Sequence, residues 1–407
     1  MHLTVTVNSP GEVSGWLLPL VDELKCADIS GHVTAVLTPC AFAGGLERTV
    51  LERTTGIDEV TALGPHLRAL VRDRWLSRRT APPGRHIVLH LGGDRVYSLL
   101  IARLRGAPAW AYGTSSARWR SFAHLLVPDA RTRSKLLARG VPADRISIVG
   151  QLVVDSVPAA GDSLGLDPTL GLDPAHDDIV SLLAGSRPYE LDFMLPFYAA
   201  VVDELAERMP RVRCVLPWSG FVPRADIERA LAGSGAAWRE SAGTATLVTP
   251  AGVSVPVIEK DRYAAMRASR MAVSLPGTIT LQLAALGVPT IVAVPLNRAE
   301  TIVVEGPLNW LSPRWGPSRA LKRALLFRLN DRLKYVALPN IIADEAIVPE
   351  LRVEMTPHDL SEAIVRLLGD EDARARMSAR LVEAAGPRGA ARAAAALLIG
   401  PDAPRRA

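Results

Sequence analysis

The stretch Met271–Val294 (MAVSLPGTITLQLAALGVPTIVAV) combines residue types that could bind a phosphate group. Its apolar start predicts a parallel strand covered on both faces, and a turn at Gly277 followed by Thr278 predicts the beginning of a helix. Gly277 lets the backbone approach a ligand, and the N–H groups at the start of the helix attract an anion. Gln282 lies on the same helix face as Thr278, within reach of a sugar hydroxyl beyond the phosphate. An ordinary βαβ turn is the alternative interpretation.

A second candidate is LLAGSRPYELDF at 182–193, where Gly185, Ser186 and Arg187 follow a predicted strand. An arginine at a strand end can hold a diphosphate through two parallel hydrogen bonds and neutralise a leaving group. An exposed arginine in an ordinary loop is the alternative, and the preceding Gly-Ser pair favours the binding role.

A carboxylate follows another predicted strand, in HLGGDRVYS at 90–98. At that position Asp94 could act as a general base on an attacking hydroxyl, a role worth about 10²–10⁴ in rate. Capping of the next helix would by itself explain an aspartate here. His90, earlier on the same strand, is predicted to be a core histidine with its hydrogen bonds satisfied.

The first strand-to-helix turn reads NSPGEVSGW, residues 8–16. Gly11 and Gly15 with Ser14 between them make a permissive loop that could seat a sugar or a phosphate, although the dinucleotide pattern G-x-G-x-x-G is absent. Glu12 is an unusual residue at such a turn, and complementing the start of the helix is its simplest role.

Composition restricts the classes of protein. The chain has 407 residues, 48% of them hydrophobic and 22% charged, which indicates a soluble protein with two domains. Its net charge of +5 suits an anionic ligand or membrane surface, and no nucleic-acid partner is expected. The three cysteines lack C-x-x-C spacing, so neither a disulfide framework nor a zinc site is expected. A location in the reducing cytosol is the simplest interpretation. No Walker sequence, H-E-x-x-H motif, signal peptide or membrane span is found.

Strand-like and helix-like stretches alternate through both halves of the chain, which predicts an α/β fold with two open parallel sheets. Between them, the segment 155–177 is rich in Gly, Pro and Asp and reads as the interdomain connection. We therefore predict an N-terminal domain over 1–155, a second domain over 156–356 and a helical tail over 357–407. In such folds the ligand binds beyond the carboxyl ends of the strands, here in a cleft between the domains.

Residues 306–335 break this pattern, because tryptophans stand beside a basic amphipathic stretch. This composition is typical of an interfacial membrane contact, which we favour over a solvated helix with an apolar stripe on the core. The predicted partner is an anionic membrane surface.

Taken together, these motifs resemble the lipid-A-disaccharide synthase family, inverting glycosyltransferases of GT-B architecture with two Rossmann-like domains facing a cleft. The resemblance spans nearly the whole chain. It rests on GEVSG (11–15), Asp94, VGQLVVDS (149–156), LLAGSR (182–187), PGTITLQLAALGVPTIV (276–292) and, most specifically, YVALPNIIADEAIVPEL (335–351).

The resemblance implies transfer of an acylated glucosamine from UDP to a lipid sugar phosphate, at the inner face of the cytoplasmic membrane and without a metal cofactor. The implied donor-binding residues are Gly185, Ser186, Arg187, Gly277, Thr278, Gln282 and Asn340. The implied catalytic residues are Asp94 and Glu12. The implied acceptor-side residues are Gly11, Ser14 and Gly15.

The chain departs from the family pattern at Trp16, Gln151, Gln282 and Arg352, and at the strand end only Asp94 remains of two usual aspartates. A nucleotide-sugar epimerase of GT-B-like fold and a non-catalytic UDP-sugar-binding homologue are therefore kept as alternatives. Acyl specificity, the true acceptor and the oligomeric state are left open.

Overall fold

The computed structural model describes residues 1–27, 31–40, 43–75, 85–115, 117–159, 162, 165–241, 243–297 and 316–400. They form two compact units, Met1–Ser156 with Gly386–Ala407, and Val157–Ala385. We call these unit 1 and unit 2.

Unit 1 alternates strands and helices from its first residues. Its elements up to the boundary are β1 His2–Val7, α1 Pro10–Glu12, a π-helical turn Val13–Leu17, α2 Leu18–Cys26, β2 His32–Leu37, α3 Glu47–Glu52, β3 Glu59–Ala62, α4 Leu63–Trp75, β4 His86–His90, α5 Arg95–Arg105, β5 Ala109–Tyr112, β6 His124–Val127, α6 Ala130–Ala138, β7 Ile146–Ile148 and α7 Leu152–Asp155.

Unit 2 continues the alternation. Its elements are β8 Asp178–Leu183, α8 Pro188–Arg208, β9 Val212–Pro217, α9 Arg224–Leu231, β10 Ala237–Ser241, β11 Thr244–Val248, β12 Ser254–Ile258, α10 Arg262–Ala268, β13 Met271–Ser274, α11 Thr278–Ala285, β14 Thr290–Ala293, α12 Gly316–Arg332, α13 Leu338–Ala343, β15 Glu350–Leu351, α14 Pro357–Gly369 and α15 Glu371–Ala385. The last helix of the chain is α16, Ala390–Ile399.

The sheet of unit 1 has the strand order β3-β2-β1-β4-β5-β6-β7, and all its paired strands run parallel. The strands carry continuous buried runs, such as Leu3–Val7 and Ile87–His90, because helices cover both faces. The predicted α/β class is confirmed.

The sheet of unit 2 has the order β10-β11-β12-β9-β8-β13-β14-β15. The six strands β12, β9, β8, β13, β14 and β15 run parallel to one another. Strands β10 and β11 form an antiparallel hairpin, and β11 pairs antiparallel with β12. This hairpin was not among the predicted elements. Every residue of β10 is exposed or only partly buried, so the strand has no apolar run to reveal it.

The C-terminal segment does not form a separate tail. Helix α14 packs Leu360 and Ile364 into the apolar core of unit 2, whereas α16 belongs to unit 1. Asp155 accepts hydrogen bonds from the backbone N–H groups of Gly389 and Ala391, which fixes the start of α16 beside the end of α7. The division of the chain therefore differs from the prediction at 357–407, because each helix buries its apolar face on a different core.

The membrane-contact prediction at 306–335 falls partly outside the described residues, which resume at Gly316. Helix α12 buries Leu326 and leaves Leu321 and Leu329 exposed by 51% and 43%. Among the described residues, no helix combines the length and the apolar character needed to cross a bilayer.

Candidate functional site

In each unit the order of the described strands reverses at a point beside which most of the predicted site residues lie. In unit 1 the reversal lies between β1 and β4, and in unit 2 between β8 and β13. Open α/β sheets bind ligands beyond the carboxyl ends of the strands at such a switch point. The residues after β1 and β4 and those after β8 and β13 therefore define one candidate edge in each unit.

In unit 2 the turn after β8 closes on a glutamate. The backbone N–H of Ser186 donates to Glu190 Oε2 at 2.9 Å, and Arg187 Nη1 donates to Glu190 Oε1 at 2.7 Å. Gly185 has φ +100°, and a Cβ there would stand 2.3 Å from Glu190 Oε2. Both the conformation and the close carboxylate therefore require glycine at this position.

Arg187 is the N-cap residue of α8 and precedes Pro188 at its first position. Its side chain is 25% exposed and that of Glu190 11% exposed. Partial burial of the guanidinium opposes its charged form, but the neighbouring Glu190 carboxylate outweighs this and raises the pKa of Arg187. Arg187 is thus a permanently charged group held at the start of a 21-residue helix.

The turn after β13 lies beside the turn after β8, since Leu183 and Ser274 are direct partners in the sheet. Gly277 has φ 143° and ψ −170°, and a Cβ there would meet no atom within 4 Å, so the backbone of this turn is open. Thr278, the first residue of α11, is partly exposed. The two loops at the switch point of unit 2 therefore place a guanidinium and an open glycine turn at one sheet edge.

Two predicted donor-binding residues have other roles. Gln282 is only 6% exposed, and its amide donates to the Tyr263 hydroxyl at 3.2 Å. Gln282 thus has an internal partner, and its expected contact with a sugar hydroxyl remains a prediction.

Asn340 is fully buried and holds the loop that follows α13. Its Oδ1 accepts hydrogen bonds from the N–H groups of Ile347 and Val348, and its Nδ2 donates to Val348 O and Glu350 Oε1, all at 2.9–3.0 Å. The expectation of a donor-binding Asn340 is corrected, because both ends of its amide stabilise the protein's own loop.

Sequence reasoning missed two polar residues at this edge. Glu190 had a signal, since a glutamate at the third position of a helix that begins with proline can reach back to the preceding turn. The sequence carries no signal for Ser274, because a single serine in an apolar strand does not indicate a functional role. Its hydroxyl is buried and has no hydrogen-bond partner among the described residues.

In unit 1 the turn after β1 also closes on a glutamate. The N–H of Asn8 donates to Glu12 Oε2 at 2.8 Å. A Cβ on Gly92, in the turn after β4, would stand 1.8 Å from the same oxygen, so the carboxylate lies directly against that backbone. Glu12 is thereby placed at the switch point of unit 1.

Asp94 caps α5, accepting the N–H of Val96 at 2.9 Å, and its side chain is exposed. The capping role is thus present, and the catalytic role remains a prediction. His90 is confirmed as a core residue, because its Nδ1 lies 2.8 Å from Ser98 Oγ and 3.3 Å from Thr6 Oγ1. Burial lowers the pKa of His90 to about 4.

The predicted acceptor-side residues separate. Gly11 lies in α1 and is partly exposed, and the Ser14 hydroxyl donates to Pro10 O at 2.8 Å. Gly15 is buried, and a Cβ there would meet Val153 at 3.1 Å, so it serves the packing of α7 and not an acceptor surface. This part of the prediction is corrected.

The helical run from Pro10 to Cys26 contains a π-turn because of Pro19. Proline has no N–H to donate, and its ring would clash with the carbonyl of Gly15 in a regular helix. The ladder widens, and the N–H of Leu18 donates to Val13 O. Such turns often occur at functional sites. Trp16, a departure noted above, lies in this turn and contacts Tyr112 edge-on, with ring centroids 5.5 Å apart.

Among the described residues, no group of three or more His, Cys, Asp or Glu side chains is arranged to hold a metal ion. Arg187 and the N–H groups at the start of α11 are the candidate anion-binding groups at the edge of unit 2.

Comparisons with known proteins show the family and the fold of the chain. The profile of the lipid-A-disaccharide synthetase family matches residues 144–305. The lipid-A-disaccharide synthase of Paraburkholderia xenovorans is 27% identical over 65% of this chain and 58% of its own length. The chain thus matches under two thirds of the length of some curated relatives.

Among solved structures, UDP-GlcNAc 2-epimerase from Neisseria meningitidis bound to UDP-GlcNAc has a TM-score of 0.51 at 14% identity, covering 96% of this chain and 98% of that one. At this identity the likeness shows the GT-B-like fold alone.

A more extensive sequence match comes from Alkalilimnicola ehrlichii. Its lipid-A-disaccharide synthase is 30% identical over 361 residues, 84% of this chain and 83% of that protein. With this coverage, the chain belongs to the lipid-A-disaccharide synthase family.

Proposed function

We propose that this protein is a glycosyltransferase that moves an acylated glucosamine from UDP to a lipid sugar phosphate with inversion and releases UDP. One observation supports the proposal above all. In a chain of this family, the switch point of unit 2 holds the Arg187 guanidinium beside an open glycine turn.

The donor side follows from the chemistry of a diphosphate. A guanidinium makes two parallel hydrogen bonds to phosphate oxygens, and helix N-termini favour negative charge. The charge that develops on departing UDP would be stabilised by Arg187 and by the N–H groups at the start of α11. In this proposal no metal ion is needed.

The acceptor side would need a base to take the proton of the attacking hydroxyl. Two carboxylates follow the strands at the switch point of unit 1, Glu12 against Gly92 and the exposed Asp94. Asp94 is our candidate for the base, because an exposed carboxylate at a strand end can reach a substrate hydroxyl. Glu12 is the second candidate.

A lipid acceptor places the reaction at a membrane surface. On α12 the exposed Leu321 and Arg328, seven residues apart, lie on the same face, and Leu329 is exposed next to Arg328 in the chain. Exposed apolar side chains beside an arginine suit the surface of an anionic bilayer. We therefore propose a peripheral location on the cytoplasmic membrane.

Flotation tests the membrane contact. The protein should float with phosphatidylglycerol vesicles and much less with phosphatidylcholine vesicles. The double substitution Leu321→Glu with Leu329→Glu should reduce flotation, whereas Arg239→Ala, at an exposed site on β10, should not. Equal flotation of all three proteins would contradict the proposed surface.

The reaction is tested by supplying UDP-diacylglucosamine and a diacylglucosamine phosphate acceptor and measuring disaccharide and UDP. Incubation with UDP-N-acetylglucosamine alone tests the epimerase alternative, which rests on fold likeness. Appearance of a new hexosamine there, without disaccharide in the first assay, would replace the proposed function. Binding of UDP without either product would support a non-catalytic homologue.

A further inference from the structure

The first turns of the two units share one arrangement of residues. In each, an N-cap residue is followed by proline at the first helical position and by glutamate at the third: Ser9, Pro10 and Glu12 in unit 1, and Arg187, Pro188 and Glu190 in unit 2. In each, the glutamate accepts the N–H of the residue before the N-cap, at 2.8 and 2.9 Å. In each, a glycine Cα lies against its carboxylate.

This shared bond shows what Glu190 does irrespective of any ligand. Unit 1 makes the same N–H-to-carboxylate bond at a turn whose N-cap residue is Ser9 instead of an arginine, so the bond serves to close the turn. Glu190 Oε2 is therefore committed to the turn of unit 2, and only 11% of its side chain is exposed. The other oxygen, Oε1, receives Arg187 Nη1 at 2.7 Å.

We propose that Glu190 is a positioning residue, which holds the Arg187 guanidinium in the direction needed to bind the diphosphate of the donor. This inference rests on the proposed function, because it assumes a diphosphate at this edge. An arginine side chain has considerable rotamer entropy to lose on being fixed. A buried partner that is itself fixed by the turn restricts the guanidinium before the ligand arrives.

Glu190→Asp separates position from charge. Aspartate keeps the negative charge but is one methylene shorter, roughly 1.5 Å, so it cannot reach both the Ser186 N–H and Arg187. Isothermal titration calorimetry with UDP should show Kd raised about tenfold. The Kd of uridine, which has no phosphate, should stay unchanged. Glu207→Asp, at an exposed site near the end of the same helix, is the matched control.

A double-mutant cycle completes the test. If Glu190 acts through Arg187, then Glu190→Asp in an Arg187→Ala background should weaken UDP binding no further. Thermal melting of each variant verifies folding.

Several results would overturn the inference. Tighter UDP binding by Glu190→Asp would show that the carboxylate competes with the ligand. Equal weakening of UDP and uridine would show a general structural role. Wild-type UDP affinity in Glu190→Asp, with weakened binding in Arg187→Ala, would overturn the role of Glu190 and leave the proposed function standing. Failure of the wild-type protein to bind UDP would overturn both.

Discussion

The turns after β1 and after β8 are closed by the same hydrogen bond from a backbone N–H to a glutamate, but they carry different charges. In unit 2 the N-cap position holds Arg187, which pairs with Glu190. In unit 1 the N-cap residue is Ser9, and the equivalent Glu12 lies against Gly92. One local design thus gives a cationic edge in one unit and a carboxylate edge in the other.

This difference favours the proposal that the two units have different roles, with unit 2 binding the anionic donor and unit 1 supplying the base. A guanidinium beside helix N–H groups suits an anion, whereas carboxylates at a strand end suit a hydroxyl that must lose a proton. The turn geometry comes from the shared proline and glutamate, whereas the charge at each edge comes from Arg187 in unit 2 and from Glu12 and Asp94 in unit 1. Four predictions test this comparison, from the largest expected effect to the smallest.

Removal of the cation should have the largest effect. Arg187→Ala should lower kcat/KM by about 10²-fold or more, because charge on departing UDP loses its main stabilising group. Arg187→Lys should restore only part of the activity, since an ammonium lacks the planar pair of donors. Disaccharide formation measures both, and Arg239→Ala is the control. Near-normal activity of Arg187→Ala would remove it from the mechanism.

The carboxylate edge can be separated from its capping role. Asp94→Ser keeps a good N-cap for α5 but removes the base, so turnover should fall well over tenfold while the melting temperature changes little. Glu12→Gln tests the second carboxylate in the same assay. If Asp94→Ser retains normal turnover and Asp94→Ala is merely less stable, Asp94 is a cap and not the base.

Replacing Gly185 and Gly92 by alanine compares the two turns directly, because each glycine lies against the glutamate of its turn. Gly185→Ala combines strain at φ +100° with displacement of Glu190, so it should cost about 2–4 kcal/mol and weaken UDP binding. Gly92→Ala displaces Glu12 alone, and it should cost less and leave UDP affinity unchanged. Urea unfolding and calorimetry measure these effects. Equal loss of UDP affinity in the two variants would contradict the proposal that UDP binds at the edge of unit 2 only.

Acid should weaken unit 1 more than unit 2. Burial lowers the pKa of His66, His86 and His90 to about 4, all in unit 1, whereas His176 and His358 of unit 2 have exposed side chains. A histidine pKa below its unfolded value means that the unfolded chain binds the proton first. Stability is then full above about pH 6.5 and falls as the pH drops towards 4.

For a fully buried histidine this loss is on the order of 2 kcal/mol at pH 5. Hydrogen exchange at pH 7.5 and pH 5 should show the amides of β1 and β4 losing protection before those of β8 and β13. His176→Gln should leave this order unchanged. Earlier opening of β8 and β13 at pH 5 would contradict the prediction.

Much of the fold could be read from the sequence because parallel strands buried on both faces appear as continuous apolar runs. The strands at 32–37 and 124–127 have the predicted bounds, and the turn at Gly277 lies where glycine and the apolar run put it. The exposed hairpin of β10 and β11 escaped because its residues carry no such pattern.

The sequence by itself determined the α/β class, the family resemblance and the position of Arg187 at a strand end, since local patterns and motifs are sufficient for these. Only the tertiary structure decided that Asn340 and Gln282 are buried with internal partners, that Gly15 packs against Val153, and that Glu12 and Glu190 close equivalent turns. These contacts depend on which atoms meet across elements distant in the chain, or on the exact direction of a side chain. Residue type and spacing can suggest a local contact, such as that of Glu190 with the preceding turn, but they do not determine which distant atoms meet.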